Sequence, residues 1–122
     1  MTTQRQLGIR GERLAAEYLE VLGYTVLARN YRWGHREVDL VVQLGDIVAF
    51  VEVKTRAGDG FGHPLEAITA LKRREVERVA VHWQRRKGRP GQQYRFDAVG
   101  VLMRRGARPI IEHVPNAWRL GE

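Results

Sequence analysis

The stretch that decides the fold is REVDLVVQLGDIVAFVEVK, residues 36–54. Two runs rich in valine, isoleucine and phenylalanine flank Gly45-Asp46, and a Gly-Asp pair between two such runs is typical of the turn of a β-hairpin. Both runs carry apolar residues on both faces, which predicts central strands of a sheet with few exposed positions. An acidic side chain inside such a strand therefore requires a physical explanation.

The predicted register brings acidic side chains together. With Gly45-Asp46 as a two-residue loop, Asp39 faces Glu52, and the side chains that share one face at the open end of the hairpin are Glu37, Asp39, Glu52 and Lys54. Opposed Cβ atoms lie about 4.5–5.5 Å apart, and like charges at that separation destabilise the pair. A divalent cation between Asp39 and Glu52 would stabilise it. A cluster of ion pairs with Lys54 and nearby arginines is the alternative.

Length and charge narrow the classes of protein to be considered. A chain of 122 residues is long enough for one domain with a single core. Lys and Arg number 21 against 14 Asp and Glu, which gives a net charge of +7. Such a charge is typical of proteins that bind nucleic acid, and it also occurs in basic proteins that are merely soluble.

Several classes of function lack support in the composition. The chain has no cysteine, which excludes disulfides and thiolate zinc sites and is consistent with a reducing, cytoplasmic location. The first residues lack the apolar stretch of a signal peptide, and no run is long enough to span a membrane, so we expect no membrane association. The four histidines have no short ligand spacing, which argues against a zinc site. With neither serine nor cysteine present, acyl transfer is a poor candidate.

An amphipathic pattern from about residue 4 to residue 22 predicts the first helix. Its predicted apolar stripe consists of Leu7, Leu14, Tyr18, Val21 and Leu22. Glu12 borders this stripe, because small or apolar residues follow it at helical spacing. Gly8 and Gly11 remove bulk nearby, so the helix could lie close enough to the sheet for Glu12 to reach the acidic cluster. The alternative is a glutamate that extends into water.

The second helix is predicted at about residues 69–86, between β-prone stretches at residues 24–32 and 94–103. Its apolar stripe consists of Leu65, Ile68, Val76, Val79 and Trp83. Lys72 lies on the same stripe and is expected to contact the carboxylates or a phosphate, or else to extend along the helix edge to water. Asp97 is expected to be structural. Asn116 is expected to cap a short terminal helix that contains Trp118 and Leu120.

Three further segments bear on nucleic-acid binding. Tyr31 and Trp33, which alternate with arginines, could stack on bases or pack against the core. The glycine-rich loop at residues 55–63 is either a flap that orders over a substrate backbone or an ordinary surface loop. The basic run at residues 85–89 could contact phosphates without reading sequence, although solvation explains such a run almost as well.

The order of a helix with Glu12, then Asp39, then Glu52-Val53-Lys54 resembles the arrangement of the PD-(D/E)xK nucleases, whose core is built as αβββαβ. Over most of its length the chain also resembles the YraN family of small bacterial proteins. The segments that carry this second resemblance are Gly11-Glu12, Gly23-Tyr24, Asn30-Tyr31-Arg32, Glu37-Val38-Asp39-Leu40, Phe50-Val51-Glu52-Val53-Lys54-Thr55-Arg56, Phe61-Gly62, Lys72 and Arg95-Phe96-Asp97.

The resemblance implies an α/β fold with a restriction-endonuclease-like αβββαβ core, in which helices flank a mixed central sheet, as a single domain over residues 1–122. It implies kinship with Holliday-junction resolvases, and hence an endonuclease that cleaves DNA, with branched DNA among its substrates, and depends on Mg²⁺, for which Mn²⁺ can substitute. Resolvase kinship also suggests a homodimer. The alternative is a binding module that keeps the nuclease fold and the basic surface but does not cleave.

The resemblance also implies which residues form the site. The active-site positions carried over to this chain are Glu12, Asp39, Glu52 and Lys54. Asp39 and Glu52 would bind the metal ion, with the carbonyl of Val53 as a further ligand, and Glu12 would orient a water molecule or a second ion.

Two lysines would act on the substrate. Lys54 would position the attacking hydroxide or stabilise the phosphate in the transition state, and Lys72 would assist electrostatically. One position departs from the family, whose members usually have glycine where this chain has Arg36. Arg36 would either crowd the metal ion or contact a phosphate.

Overall fold

The structure is a computed structural model that describes residues 2–58 and 63–122. Residues 59–62 of the glycine-rich loop and the side chains of Pro64 and Leu65 lie outside the described residues. Neither of the two long helices in the described part is apolar enough to cross a membrane.

A five-stranded mixed sheet forms the centre of the fold, with its strands side by side in the order in which they occur in the chain. The first three strands form an antiparallel meander, the fourth pairs with the third in parallel, and the fifth is antiparallel to the fourth. In chain order the elements are α1 (Gln4–Val21), β1 (Thr25–Trp33), β2 (Arg36–Leu44), β3 (Ile47–Ala57), a short 3-10 helix (Pro64–Ala67), α2 (Ala70–Lys87), β4 (Gln93–Met103) and β5 (Ile110–Trp118). The predicted αβββαβ core is confirmed, with one strand added.

The two helices bury opposite faces of the sheet. Strand β3 alternates, so that Val48 and Phe50 join the core beneath α2 while Ala49 and Val51 join the core beneath α1. The crossover from β3 through α2 to the parallel strand β4 places α2 on its face of the sheet. Because helices cover both faces of the sheet, its central strands are continuous apolar runs in the sequence.

The predicted hairpin register is confirmed along the paired part of β2 and β3, where Leu44 faces Ile47 and Leu40 faces Val51. Gly45 has a φ of 59°, the left-handed conformation that a tight hairpin turn requires and that glycine adopts without strain. The ladder ends at the Leu40–Val51 pair. The next residues outward, Asp39 and Glu52, therefore lie where side chains can bond main-chain groups that the ladder no longer uses.

The buried face of α1 differs from the predicted stripe. Its buried residues are Gly11, Ala15, Ala16 and Leu19, whereas Val21 is 87% exposed and Leu22 is 49% exposed. Three of the four buried residues are small, which lets this part of the helix lie close to the sheet. Glu12 is thus on the side of the helix that faces the sheet.

The C-terminal prediction of a helix capped by Asn116 is wrong. Residues 110–118 form β5, which covers the edge of β4, and Asn116 has a φ of 52° near an irregularity in the register of that pair. Trp118 is buried and stacks on Phe96, with ring centroids 5.2 Å apart. The β-branched residues Ile110, Ile111 and Val114 favour a strand, and together with the free edge of β4 they outweigh the capping signal.

Candidate active site

The acidic residues Asp39 and Glu52 meet where the ladder between β2 and β3 ends. The main-chain N–H of Asp39 donates to Glu52 Oε1 at 3.3 Å, and the main-chain N–H of Val53 donates to Asp39 Oδ2 at 2.8 Å. Each carboxylate thus accepts a hydrogen bond from a main-chain N–H, just beyond the end of the ladder. These two bonds hold the two carboxylates side by side.

Burial makes the charged state of this pair costly. Glu52 is only 2% exposed, and burial together with the neighbouring charge of Asp39 raises its pKa to about 8. Burial also raises the pKa of Asp39 to about 6, against the hydrogen bond from Val53, and the charge of Glu12 adds to the rise. A cation between the carboxylates would stabilise their ionised forms.

Lys72 supplies positive charge beside the pair. Its Nζ donates to the carbonyl oxygen of Glu37 at 3.0 Å and to Glu75 Oε2 at 2.7 Å. Burial lowers the pKa of Lys72, but the hydrogen bond to Glu75 and the charge of Glu52 outweigh it and leave the pKa above its usual value. The ammonium is therefore a charged group anchored to α2 and to the start of β2.

Glu75 completes this anchor and was missed by sequence reasoning. Its carboxylate accepts from Lys72 and also from the main-chain N–H of Glu37 at 3.1 Å. The available signal was the spacing of three residues between Lys72 and Glu75, which places both on one side of a helix.

Asn30 connects α1 to the site, and sequence reasoning gave it no role. Its side-chain amide donates to Glu12 Oε1 at 3.0 Å and to Glu37 Oε1 at 2.9 Å. The φ of Asn30 is 48°, a left-handed conformation that asparagine tolerates better than most residues. Glu12 is consequently held at the edge of the acidic cluster, where its charge acts on Asp39.

Lys54 is the least constrained of the predicted site residues. It is half-buried, and within the described part of the chain its ammonium has no ion pair or hydrogen bond. Its charge lowers the pKa of Glu52. The predicted register places Glu37 opposite Lys54, but both lie beyond the end of the ladder, and Glu37 forms an ion pair with Arg32 at 2.9 Å.

The donor set determines which metal ion the site could take. Across residues 2–58 and 63–122, no three His, Cys, Asp or Glu side chains are grouped so that they could hold a metal ion. Asp39 and Glu52 supply two carboxylates, each of which uses one oxygen in the main-chain bonds described above. Mg²⁺ is usually held by one or two carboxylates together with water and substrate phosphates. The pair therefore fits Mg²⁺ or Mn²⁺, while Glu12 and the Val53 carbonyl stay predicted ligands.

A second buried carboxylate, Asp97, lies in a closed network. It accepts from Arg95 Nε at 2.8 Å and from the main-chain N–H of Asn116 at 3.0 Å, and it lies 2.8 Å from His113 Nε2. Burial raises the pKa of Asp97, but the hydrogen bonds with His113 and Arg95 lower it further and hold it below the usual value. The expected structural role of Asp97 agrees with this network.

The chain is similar to a set of bacterial proteins. The model of the Uncharacterised protein family UPF0102 matches residues 11–101, a span that contains all the predicted site residues. A UPF0102 protein of Nocardia farcinica is 47% identical over 111 residues, which cover 91% of this chain and 87% of that protein. A UPF0102 protein of Leifsonia xyli subsp. xyli is 44% identical over 116 residues, 95% of this chain and 98% of its own length. A UPF0102 protein of Geobacter sulfurreducens is 44% identical over 114 residues, which cover 93% of this chain and 89% of that protein.

Proposed function

The chain belongs to the Uncharacterised protein family UPF0102, the YraN family, and from that premise we propose that it is a Mg²⁺-dependent endonuclease that hydrolyses phosphodiester bonds in DNA, branched DNA included. The observation that supports the proposal most is a pair of hydrogen bonds between β2 and β3, in which the Asp39 N–H donates to Glu52 and the Val53 N–H donates to Asp39. It fixes the buried carboxylate of Glu52 next to the half-buried one of Asp39, at a cost in free energy that a bound cation would offset.

Each carboxylate has a defined part in this proposal. Asp39 and Glu52 would hold the metal ion, with the Val53 carbonyl as a further ligand. Mg²⁺ bound there supplies a Lewis acid that neutralises the phosphate and lowers the pKa of water. Glu12, whose Oε1 accepts from Asn30, would orient the attacking water through its other oxygen.

The two lysines would act on the anionic substrate in different ways. Lys72 is tied to Glu75 and to the Glu37 carbonyl, so it would contribute a fixed positive potential. Lys54 has no bonded partner among the described residues. Its ammonium would therefore be available to contact the scissile phosphate or the attacking oxygen.

The charge of the chain supports DNA as the substrate. The net charge of +7 favours a polyanion over a neutral or cationic polymer. Binding of this kind weakens as salt is added, because each phosphate contact releases condensed cations.

The direct test is a cleavage assay on junction, flap and linear DNA with Mg²⁺ or Mn²⁺. Asp39→Asn keeps the shape of the side chain and an oxygen for the Val53 N–H but removes the charge. The matched control is Asp46→Asn, which removes the same charge from an exposed residue in the hairpin turn.

Cleavage by the wild type and by Asp46→Asn, together with its loss in Asp39→Asn, would support the nuclease. DNA binding that falls with salt, without cleavage by any of the three proteins, would refute catalysis and support the binding module. Absence of both DNA binding and cleavage would refute both the nuclease and the binding module.

A further inference from the structure

A groove of about 470 Å³ opens between the turn from β1 to β2, the side of α2 and the C-terminal residues. Its apolar lining is Trp33, Val81 and Leu120, all of which are partly exposed. None of the carboxylates or lysines assigned to the candidate active site lines it. The groove, called the tryptophan groove below, is therefore a separate feature that the proposed chemistry does not use.

The tryptophan groove carries positive charge that the protein does not neutralise. Arg36, Arg78 and Arg85 line it, and in the described part of the chain none of their guanidinium groups has an ion pair or a hydrogen bond. A fourth arginine, Arg74, is paired with Glu77 at 3.0 Å. Three guanidinium groups without acceptors beside apolar surface are suited to a ligand with both anionic and apolar parts.

The acidic residue among the lining residues, Glu77, already accepts hydrogen bonds from other groups of the protein. Glu77 is buried and accepts from Arg74, from Trp118 Nε1 at 3.1 Å and from the main-chain N–H of Gly121 at 3.3 Å. It therefore cannot neutralise the other arginines without losing bonds inside the protein. The excess positive charge of the tryptophan groove is a fixed property of the fold.

The aromatic lining is arranged for stacking. Trp33 is 41% exposed, and its ring is parallel to that of His82 within 7°, with centroids 5.0 Å apart. The guanidinium of Arg36 lies over the same ring, 5.5 Å from its centroid, so a base that stacks on Trp33 would take the place of this guanidinium and leave it to contact a phosphate. Aromatic rings with adjacent arginines bind unpaired nucleotides, because the rings stack on bases while the arginines contact the backbone. Bases inside a duplex are already stacked and paired, so a duplex cannot place one in this groove.

We infer that the tryptophan groove binds an unpaired stretch of the DNA substrate, with a base against Trp33 and phosphates against Arg36, Arg78 and Arg85. This inference rests on the proposed nuclease function and narrows its substrate class. Arg36 precedes Asp39 by three residues of β2, roughly 10 Å at about 3.3 Å per residue. The substrate is therefore DNA with a single-stranded arm close to the cut.

The test measures binding without cleavage. Fluorescence anisotropy of a labelled oligothymidine and of a blunt duplex of equal length is recorded in EDTA with the wild type, Trp33→Ala and Trp33→Phe. Trp33→Ala is expected to weaken binding of the single strand about tenfold and of the duplex by about twofold or less. Trp33→Phe keeps a ring and is expected to restore most of the binding to the single strand.

A charge-matched pair of variants keeps the test independent of Trp33. Arg78→Glu reverses a charge in the tryptophan groove, and Arg13→Glu reverses one on the exposed side of α1, across the sheet. Arg78→Glu is expected to weaken single-strand binding several-fold more than Arg13→Glu does. Equal losses from the two reversals, or single-strand binding by Trp33→Ala at the wild-type level, would overturn the inference.

The two proposals fail in different ways. Selective loss of single-strand binding in Trp33→Ala, combined with no cleavage of any DNA by the wild type, would refute the nuclease and retain the groove as a nucleic-acid site. Cleavage that is lost in Asp39→Asn, combined with unchanged single-strand binding in Trp33→Ala, would support the nuclease and refute the groove assignment. A wild type that binds neither the single strand nor the duplex would overturn the groove assignment.

Discussion

Gly11 of α1 lies directly against Thr55 of β3. A Cβ added at Gly11 would be 2.8 Å from both Thr55 Cβ and Thr55 Cγ2, closer than real side chains approach. The backbone of α1 can therefore lie against the sheet only because this position has no side chain. The next residue is Glu12, so the contact that sets the depth of the helix also brings Glu12 to the acidic cluster.

Gly11→Ala is expected to lower the free energy of unfolding by about 1–3 kcal/mol, the usual cost of overpacking a core contact. Gly8→Ala is the matched control in the same helix, since a Cβ there meets nothing within 4 Å. It should raise stability by up to about 1 kcal/mol through helix propensity. Urea unfolding of both variants measures the difference, and equal effects would contradict the close approach of α1.

The face of α1 shows where sequence reasoning fails. The prediction followed the large apolar residues, of which Leu14 and Tyr18 do pack at the edge of this core. Val21 and Leu22 are exposed, however, and the fully buried residues are Gly11, Ala15, Ala16 and Leu19. Small residues contribute little to a pattern based on hydrophobicity. Their importance comes from the distance between helix and sheet, which local periodicity does not contain.

The hairpin shows why the central part of the site could be predicted. A two-residue turn fixes the register of β2 and β3, and the register alone brings Asp39 and Glu52 to the same end of the ladder. Asn30 and Glu75 could not be found this way. The contacts of Asn30 depend on its left-handed conformation, and those of Glu75 depend on where α2 docks against β2.

Stability in the absence of divalent cations should depend on pH through Glu52. Its pKa is about 8 when folded, against an ordinary value of 4.5, so the folded state binds more protons than the unfolded state between these pH values. Stability contributed by this group therefore falls as pH rises through that window. Glu52→Gln removes the titration and keeps an acceptor for the Asp39 N–H.

The measurement is urea unfolding of the wild type and of Glu52→Gln at several pH values in EDTA. The stability of the wild type relative to the variant should fall by at least about 1 kcal/mol from pH 4.5 to pH 8, the equivalent of one pKa unit. Asp39 changes stability in the same direction at lower pH, up to about 6. A difference that stays constant with pH would show that Glu52 ionises normally.

Metal binding should offset the stability that the folded protein loses when Glu52 ionises. At pH 8, Mn²⁺ at about one hundred times its dissociation constant should stabilise the wild type by about 2.7 kcal/mol. Thermal unfolding should show the same rise in Tm for Asp46→Asn and little or none for Asp39→Asn. Calorimetry in buffers with different ionisation enthalpies should detect proton release, because a raised pKa leaves part of the pair protonated before the metal binds. A Tm that rises equally in all three proteins would place the metal elsewhere.

Asp97 should behave as a structural carboxylate. Asp97→Asn leaves the Arg95 guanidinium without its anion in a largely buried network, and the expected loss of stability is about 3–5 kcal/mol. The folded pKa of Asp97 is lowered, so its contribution is present above the ordinary value of 3.8 and is lost as pH falls through the folded pKa. The gap between wild type and variant in urea unfolding should therefore narrow in acid. The rise in Tm with Mn²⁺ should be unchanged, and its loss would contradict the separation of Asp97 from the metal site.

Lys54 and Lys72 can be distinguished because only one of them is bonded to the protein. Lys72→Met removes the donor to Glu75 and to the Glu37 carbonyl, so it should lower stability by about 1–3 kcal/mol as well as slow cleavage. Lys54→Met breaks no bond with the described residues, so stability should stay within about 0.5 kcal/mol of the wild type. Its single-turnover cleavage rate should nevertheless fall by about 10²–10³, the usual effect of removing one group that stabilises transition-state charge.

The two readouts also show how this prediction could fail. If Lys54→Met cleaves at the wild-type rate while Lys72→Met does not, the ammonium that acts on the phosphate belongs to Lys72, and its contact with Glu75 must open when substrate binds. Lys72→Arg would then separate charge from geometry. A guanidinium keeps the positive potential but cannot reproduce the position of Nζ between Glu75 and the Glu37 carbonyl. Cleavage retained by Lys72→Arg would assign Lys72 an electrostatic role, and cleavage lost would assign it a positional one.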